Sequence, residues 1–543
     1  MKKCLPPRSA AADKCLAYHV AGLRNAHLPL LDEPFPATPS RRHHHFSRLP
    51  RRFGVRTAPF CDCRCSWLVC HTPLADDVVI ICRAATRMSL RSSTSVLLSY
   101  ASRLPSLVFS IHLLVQDFKM FGRTTLAWTA FALRASAARP KTQDGSQVIR
   151  DPLTYGPELE LVHLYYDQFP TGIAVSSTGR LFSNYPGGLD ANDTNNGQNG
   201  RYTIAELFED NTERPYPSRE INNPPGGAIN YTTYPPSGAN YQDYLIGSQS
   251  CVIDSLDRLW ILDTGRVLTP NGTLVPASYG GPKLIGVNLS NDTIFKTIVF
   301  PTNVAYADSY LNDVRFDLRP SSAPGGQGIA YITDSSIEGR NGIVMADLGT
   351  GESWRHLDGN PTVHPARQFS AYLWGVPLYQ NNPGKPFGYV SFGSDGIALS
   401  ADGETLYWKA VANRQLYSIP TTRLRDTSPS SEFLAQGAIN TLGETGVSDG
   451  LETDTNNFIY HGNMEQDAVS FFNPPNGTDT LFVRDPRLNW IDTFSTASDG
   501  YIYFTSNQLV YGSGQYPGTD RRQRPFALWR AKLPNNGTKT SLK

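Results

Sequence analysis

Hydrophobic and polar residues alternate most clearly between residues 393 and 408, where the pattern predicts a β-hairpin. Ile397 and Leu399 alternate with small residues, as on a strand that is buried on one face. Asp402-Gly403 is a two-residue turn signal, and an aromatic return strand follows it. A single hairpin buries too little apolar surface to be stable alone, so it needs neighbouring copies of itself.

The same phrase, a polar turn followed by two short apolar strands, recurs along the chain. In register, the six copies begin with Thr171, Gln249, Asn312, Asp395, Asp449 and Asp492. Their spacings run from roughly 40 to 85 residues, which suits four-stranded blades with loop insertions. The pattern therefore predicts an all-β fold, a six-bladed β-propeller.

The two ends of the repeat region predict how the ring of blades closes. Residues 159–166 and residues 526–533 both alternate as strands do. An open ring would leave two blades with unpaired edges, so we expect these two strands to share one sheet. Between the first two copies, the polar stretch 190–244 is expected to be loop over one face. Residues 204–208 are expected to form a short turn of helix within it.

A change in charge and cysteine usage divides the chain near residue 119. Residues 1–119 hold 17 Lys and Arg against 7 Asp and Glu, whereas the remainder holds 32 against 41. Seven of the eight cysteines precede residue 83, and their spacing fits no zinc pattern. We interpret residues 1–119 as a non-globular N-terminal extension, either disordered or a gene-model artefact.

Residues 120–138 have the order of a secretory signal peptide. Met120 is followed by Arg123, then by the apolar run 124–133 and the small residues 135–137. This order predicts a secreted, extracellular propeller domain over residues 139–543. The alternative is an internal apolar segment without export. No run is long enough to predict a membrane span.

Sequons for N-glycosylation agree with export, because they mark surface loops of secreted proteins. The asparagines concerned are Asn192, Asn230, Asn271, Asn288, Asn291, Asn476 and Asn536. Cys251 has no cysteine partner after residue 119, so we expect it to be a small buried hydrophobe in a fold held by packing.

The repeat alignment also predicts a site. The first strand of each propeller blade lines the central channel, so the six leading residues should gather at one mouth. Carboxylates held close together there cannot all ionise freely. A Ca²⁺ or another divalent cation bound by Asn312, Asp395 and Asp449 would relieve the repulsion. The alternative is that Asp395 and Asp449 merely form Asx-type turns.

Several phrases resemble the major royal jelly and yellow protein family, in family order over roughly residues 159–533. They occupy residues 258–265, 312–317, 330–335, 353–355, 396–400, 416–421 and 505–507. The resemblance implies a secreted six-bladed propeller. Some family members resemble dopachrome-converting enzymes, and others are nutritive or bind small lipophilic ligands.

The chain also resembles the calcium-dependent lactonase propellers of the regucalcin and gluconolactonase group. Their metal site uses a Glu, two Asn-type positions and an Asp. By resemblance, Asn312 and Asp449 match an Asn and the Asp, while Asp395 replaces an Asn. Thr171 stands where the Glu would be, and this departure argues against lactone chemistry.

Two main classes of function follow. In the first, a secreted protein binds a small aromatic or lipophilic ligand at the channel mouth, through Thr171, Gln249, Asn312, Asp492 and His461. In the second, an enzyme works at the same site, either as a tautomerase of a pigment precursor or as a metal-dependent lactone hydrolase.

The enzyme alternative gives the catalytic roles to Asp449 and Asp395. His461 could act as an acid or base, although a hydrogen-bonded structural role is its alternative. A wall or adhesion protein is a third interpretation. The basic excess lies outside the repeats, which argues against nucleic-acid binding. We expect a monomer.

Overall fold

The computed structural model confirms the six-bladed β-propeller. It describes residues 154–382 and 384–543, and two short strands that pair antiparallel, Leu68–Cys70 and Val79–Ile81. The described residues from 154 onward belong to one compact unit, residues 140–543. The predicted extension and signal peptide lie outside the described residues, apart from those two strands. Within the described part of the chain, no helix has the length and apolar character needed to cross a bilayer.

Each blade is a four-stranded antiparallel sheet, and its first strand contacts the first strands of both neighbouring blades. These six strands therefore surround the propeller axis. From the axis outwards, blade 1 comprises Ala174–Val175, Leu181–Asn184, Ile204–Leu207 and Glu213–Pro215; blade 2 comprises Ser248–Ile253, Arg258–Asp263, Lys283–Asn288 and Thr293–Val299; and blade 3 comprises Leu311–Asp317, Ile329–Asp334, Gly342–Asp347 and Ser353–His356.

The remaining three blades complete the ring. Blade 4 comprises Ser394–Leu399, Thr405–Ala410, Gln415–Pro420 and Asn440–Glu444; blade 5 comprises Leu451–Thr453, Ile459–Asn463, Ala468–Asn473 and Thr478–Arg484; and blade 6 comprises Ile491–Thr496, Tyr501–Ser506, Phe526–Lys532 and Glu160–Tyr165. The pairing of the last two strands confirms the predicted closure, since Tyr165 lies opposite Phe526.

Short elements occupy the connections between these strands. Three hairpins consist of strands of two residues each. They pair Ile229–Asn230 with Ser237–Gly238, Tyr372–Leu373 with Val376–Pro377, and Tyr379–Gln380 with Gly388–Tyr389. Helix within the described residues is confined to the α-helices Thr421–Arg425 and Ser431–Gln436 and to the 3-10 turns Ala191–Asp193, Pro320–Ser322, Pro361–Val363, Met464–Gln466, Leu509–Tyr511 and Pro534–Asn536.

The prediction of a helical turn at residues 204–208 was wrong. Ile204–Leu207 is the third strand of blade 1, and it pairs with Leu181–Asn184 and Glu213–Pro215. Ile204, Ala205 and Leu207 are all buried, so packing against neighbouring strands decides the conformation rather than local propensity. The stretch 190–244, expected to be loop, thus supplies the outer half of a blade.

The turns between first and second strands explain the residue types that recur there. A residue at or near the end of this turn has a positive φ in all six blades, and the residues are Gly179, Asp257, Gly328, Gly403, Asn457 and Gly500. Only Gly, Asn and Asp adopt this left-handed conformation at low cost. The Asp-Gly and Asn-Asn signals in the sequence therefore reflect a backbone requirement.

The blades are held together by apolar layers between neighbouring sheets. Strands near the axis are buried on both faces, as in Leu311–Asp317, whereas the outermost strand of blade 2, Thr293–Val299, is largely exposed. Trp260 stacks on Phe316 with 5.2 Å between ring centroids, which joins blades 2 and 3. Burial of aliphatic and aromatic side chains between the sheets stabilises a fold whose described residues contain no disulfide.

Candidate functional site

The six leading residues of the repeats lie together at one mouth of the channel, and we call them the axial ring. Each of these side chains is at most 9% exposed. Asn312 Nδ2 donates a 2.6 Å hydrogen bond to Asp395 Oδ2. Asn184 Nδ2 joins Thr171 Oγ1 to the main-chain carbonyl of Gln249, at 2.6 Å each. The register inferred from the sequence therefore brings these residues to one place.

Three carboxyl groups of the axial ring perturb one another. Burial raises the pKa of Asp449 to about 6, although hydrogen bonds from Asp395 and Trp490 partly oppose that rise. Burial, followed by the charge of Asp449 and a hydrogen bond with it, raises the pKa of Asp395 well above its usual range. Burial and the charge of Asp449 also raise the pKa of Asp492. The opposed effects on the pKa values of Asp395 and Asp449 fit one proton shared by the two carboxyl groups.

Neighbouring side chains orient the carboxyl groups and the amide of the axial ring. Trp490 Nε1 donates to Asp449 Oδ2 at 2.7 Å, and Asn507 Nδ2 donates to Asp492 Oδ2 at 2.7 Å. The Tyr310 hydroxyl donates to Gln249 Oε1 at 2.8 Å. Asn312 donates a second hydrogen bond to the Ser335 hydroxyl at 2.9 Å. Each orienting residue is itself fixed by its blade, so the site is preorganised.

Irregular strand pairing aims the axial ring into the channel. The pairing of first and second strands shifts register in four blades, and the shifts fall between Ser248 and Ser250, Leu311 and Val314, Ser394 and Ile397, and Ile491 and Phe494. Each interval contains a ring residue. A β-bulge re-aims a side chain and ends regular pairing, so the bulges turn these polar groups toward the axis.

The glycines that follow Asp395 and Asp449 allow the inner strands to approach closely. A Cβ at Gly396 would lie 2.2 Å from the carbonyl oxygen of Asp449, and one at Gly450 would lie 2.4 Å from that of Asp492. The Gly450 amide donates to that same Asp492 carbonyl at 2.7 Å. The repeated Ser-Asp-Gly phrase therefore combines a ring carboxyl with the close contact that positions the next blade.

A column of charged side chains continues from the axial ring along the channel. Asp313 Oδ1 accepts hydrogen bonds from the Ser250 hydroxyl at 2.9 Å and from Arg315 Nη1 at 3.1 Å. Arg315 also donates to the Leu451 carbonyl, and its Nη2 lies 3.6 Å from Glu452 Oε2. Asp313 Oδ2 is buried without a hydrogen-bond partner in the described part of the protein. The inner channel is therefore narrow and already filled with polar groups.

The opposite end of the channel is covered by residues 538–542, which we call the strap. The amides of Thr455 and Leu318 donate to the Thr538 and Leu542 carbonyls, at 2.9 and 3.0 Å. Lys539 Nζ donates to the Ile253 carbonyl at 2.6 Å. These contacts come from blades 5, 3 and 2, so the strap crosses the axis. A cavity of about 50 Å³ remains above it.

Residues 364–393, which we call the cap, pack on the axial-ring side of blades 4 to 6. Leu373 and Leu378 share an apolar cluster with Val411, Val447 and Trp490. The cap is tied to the loop of blade 6 by hydrogen bonds, among them one from the Tyr516 amide to the Tyr379 carbonyl at 2.9 Å. Access to the axial ring is thus bordered by apolar and aromatic residues.

Other residues nominated by the sequence lie elsewhere or have structural surroundings. His461 is fully buried in blade 5, where Nε2 lies 2.7 Å from Asp479 Oδ1 and Nδ1 lies 3.0 Å from the Gly462 carbonyl. The structure does not bring it into the axial ring. Cys251 is buried beside the Phe182 carbonyl, and burial raises the pKa of its thiol. It therefore has the surroundings of a packed hydrophobe.

The orienting residues were missed by the sequence interpretation, although one signal was present. Asn184, Ser335 and Asn507 all end a second strand or directly follow one, so they occupy equivalent places in three blades. Trp490 and Tyr310 each lie two residues before a ring residue, Asp492 and Asn312. Extending the repeat alignment to these positions would have found them.

The residues predicted to hold a cation are close together but engaged with one another. Asn312 faces Asp395 with its amide N–H, and Asp395 and Asp449 are hydrogen-bonded. Among the described residues, no group of three or more His, Cys, Asp and Glu side chains is placed to hold a metal ion. A divalent cation at Asn312, Asp395 and Asp449 stays a prediction.

The sequon asparagines all lie at exposed or half-exposed positions. In four of them Oδ1 accepts a hydrogen bond from the hydroxyl two residues later, and these are Asn230, Asn288, Asn291 and Asn476. The acceptor side chains are therefore presented in turns at the surface.

Comparison with known proteins identifies relatives for the propeller. The family model described as major royal jelly protein matches residues 246–539, more than half of the chain. Major royal jelly protein 7 of Apis mellifera is 25% identical over 248 residues, which are 44% of this chain and 49% of that protein. Protein yellow of Drosophila erecta is 27% identical over 189 residues, 33% of this chain and 31% of that protein.

The matched regions thus span half or less of the length of these relatives. Among solved structures, a luciferin-regenerating enzyme covers 71% of this chain and 97% of its own, with 9% identity and a TM-score of 0.41. Regucalcin from Agrobacterium tumefaciens covers 71% of this chain and 95% of its own, with 11% identity and a TM-score of 0.38.

Proposed function

The chain belongs to the major royal jelly protein family, and from that premise we propose that its axial ring binds a small aromatic or lipophilic ligand. The observation that carries the proposal is the composition of the mouth. Asp395, Asp449 and Asp492 offer buried carboxyl groups, and the buried aromatic side chains of Trp490 and Tyr310 hydrogen-bond to residues of the ring. A few fixed polar groups within apolar surroundings are typical of small-molecule sites.

The carboxyl groups define which end of the ligand faces the axis. Burial and mutual repulsion raise the pKa values of Asp395 and Asp492, and a ligand group that donates hydrogen bonds or carries positive charge would relieve that repulsion. The proposed ligand therefore carries an amine or hydroxyl group on an aromatic or apolar body.

Titration calorimetry with three small aromatics of different charge tests this function. We expect benzylamine and phenol to bind and benzoate not to bind, because an anion would face the carboxyl cluster. Asp395→Ala should weaken benzylamine binding at least roughly tenfold, the usual cost of a lost charge-assisted hydrogen bond. Asp485→Asn is the matched control, since Asp485 is equally buried but pairs with Arg487. Absence of binding by both benzylamine and phenol, binding of benzoate as tight as that of benzylamine, or an equal loss in both variants would refute the proposal.

An enzyme acting at the same site is the second candidate, and the hydrogen-bonded pair of Asp395 and Asp449 favours it. Two carboxyls with shifted pKa values can serve as proton donor and acceptor, which is what a tautomerisation requires. The decay of dopachrome absorbance with wild-type protein and with Asp449→Asn checks this candidate. A wild-type rate equal to that of buffer alone would eliminate it.

A metal-dependent lactone hydrolase is the remaining variant of the enzyme candidate. Elemental analysis of the purified protein separates it from plain binding. Stoichiometric Ca²⁺ that disappears in Asp449→Ala would support a metal site at Asn312, Asp395 and Asp449. Metal-free protein with intact benzylamine binding would leave the binding function alone.

We also propose that the protein is secreted, glycosylated and monomeric. Surface placement of all seven sequon asparagines supports glycosylation, and the apolar segment before residue 139 supports export. Expression in insect cells, with N-terminal sequencing of the medium and mass measurement before and after glycosidase treatment, tests the first two. Light scattering of the purified product tests the third. Retention of the protein inside the cells would contradict secretion.

A further inference from the structure

A second site is suggested by a cavity of about 230 Å³ beside blade 1. It lies among the segments 197–202 and 219–223, within the polar stretch that separates the first two repeats. None of the residues that line it belongs to the axial ring. Its chemistry is therefore independent of the function proposed above.

The lining of this cavity is rich in hydrogen-bond donors and contains no acidic side chain. Its polar members are Gln198, Arg201, Tyr202, Arg219, Asn222 and Asn223. Arg201 uses only Nη1 of its guanidinium, which donates to Asp167 Oδ2 at 2.7 Å. The Tyr202 hydroxyl donates to Glu213 Oε2 at 2.9 Å, outside the lining. Because Arg201 is paired with Asp167, the uncompensated positive charge of the lining is that of Arg219.

Arg219 is the unpaired charge of the cavity. Its guanidinium lies beside Gly200, because a Cβ on that glycine would be 3.4 Å from Arg219 Nη2. Within the described residues it has no ion-pair or hydrogen-bond partner. An exposed guanidinium without a partner, held at the edge of a cavity with a second arginine, is suited to a carboxylate or phosphate.

The walls of the cavity are fixed before any ligand binds. Asn222 is 2% exposed and makes four hydrogen bonds. Its Oδ1 accepts from the Thr203 and Ile204 amides, and its Nδ2 donates to the Tyr216 and Ser218 carbonyls. Asn195 Nδ2 donates to the carbonyls of Arg201 and Asn222, at 2.6 and 3.1 Å. Preorganised walls reduce the entropy lost on binding.

We propose that this cavity binds a small hydroxylated anion, a sugar acid or a sugar phosphate. The two guanidinium groups recognise the charged head group, and the side-chain amides of Gln198 and Asn223 face the hydroxyl groups. The volume of about 230 Å³ admits a single sugar ring and excludes a drug-sized or polymeric ligand.

Titration calorimetry at physiological salt tests the proposal with glucuronate, glucose 6-phosphate and neutral glucose. At least one of the two anions should bind, and glucose should bind at least tenfold more weakly. Arg219→Ala should lower the affinity for the anion at least roughly tenfold, as expected for a lost charge-assisted contact. The control is Arg214→Ala, because the Arg214 guanidinium lies 4.2 Å from the Phe208 ring centroid and does not line the cavity.

Each outcome decides the proposal. Binding of only one anion identifies the head group and supports it, as does selective loss in Arg219→Ala with an unchanged melting temperature. Absence of binding by both anions, equal binding of glucose, or equal losses in the Arg219 and Arg214 variants would overturn it. Benzylamine binding at the axial ring should be unaffected by Arg219→Ala, so this test is separable from that of the proposed function.

Discussion

Replacing Asp449 by Asn should stabilise the protein at neutral pH and leave its stability unchanged in acid. Burial raises the pKa of this carboxyl from 3.8 to about 6 in the folded protein. The folded state therefore holds a proton that the unfolded chain releases more readily. The tighter binding of this proton by the folded state contributes to the free energy of unfolding. That contribution is complete below about pH 3.8 and is lost as the pH rises through about 6.

The structure sets the size of the effect. Moving the pKa from 3.8 to about 6 corresponds to about 3 kcal/mol, at roughly 1.4 kcal/mol per pKa unit. An Asn side chain preserves both contacts, since its oxygen can accept from Trp490 Nε1 and its amide can donate to Asp395. The substitution therefore removes the cost of ionisation without creating a cavity.

Urea denaturation of wild-type protein and Asp449→Asn, at pH 3.5, 5, 6 and 7.5, measures the difference. The two proteins should be equally stable at pH 3.5, and the variant should be about 3 kcal/mol more stable at pH 7.5. Asp485→Asn provides a control of opposite sign. Burial alone would raise the pKa of Asp485, but hydrogen bonds and the charge of Arg487 outweigh it and lower the pKa. Its substitution should destabilise the protein at neutral pH.

The reasoning fails if the difference between Asp449→Asn and wild type does not change with pH. It also fails if the variant is less stable at pH 7.5, because the buried carboxyl would then be stabilised as an anion. A bound cation at the axial ring would produce that second result, so the experiment should be run with and without a chelator.

Two further predictions concern the close contacts of the propeller. Gly396→Ala should destabilise the protein by about 1–3 kcal/mol in urea denaturation, because its Cβ would meet the Asp449 carbonyl at 2.2 Å. The control Gly514→Ala, whose Cβ would have nothing within 4 Å, should change the free energy of unfolding by no more than about 0.5 kcal/mol. Equal effects of the two substitutions would contradict the packing argument. Deletion of residues 538–543 should accelerate hydrogen exchange at the Leu318 and Thr455 amides, because both donate hydrogen bonds to the strap. The outer strands should keep their protection from exchange. Unchanged exchange at both amides would show that the strap does not protect them.

The parts of the fold that could be predicted from the sequence are those set by short-range patterns. Hairpins are marked by local signals, and the left-handed turn residues Gly403 and Asn457 already identify two of them. The expectation that Ile397 and Leu399 lie on a strand buried on one face was wrong, because every residue of Ser394–Leu399 is buried. The axial ring followed because equivalent positions in a propeller converge on its axis. Ile204–Leu207 was misassigned because its strand conformation comes from pairing with Leu181–Asn184 and from burial, and local propensity carries no record of either.

Long-range contacts at the site could not be predicted in this way. Lys539 donates to the Ile253 carbonyl across 286 positions of the chain, and no repeat relates the two. The partners of the carboxyl groups were missed for a related reason. Trp490 contacts Asp449 of the preceding blade, 41 positions earlier, so the contact depends on how adjacent blades pack.

The strap closes the opposite end of the channel, so in the described part of the propeller a ligand reaches the axial ring from the mouth at which the ring lies. A ligand that reaches the carboxyl groups must therefore dissociate through the same mouth by which it entered. Substitutions in the cap, which borders that mouth, should therefore alter the rates of ligand association and dissociation together.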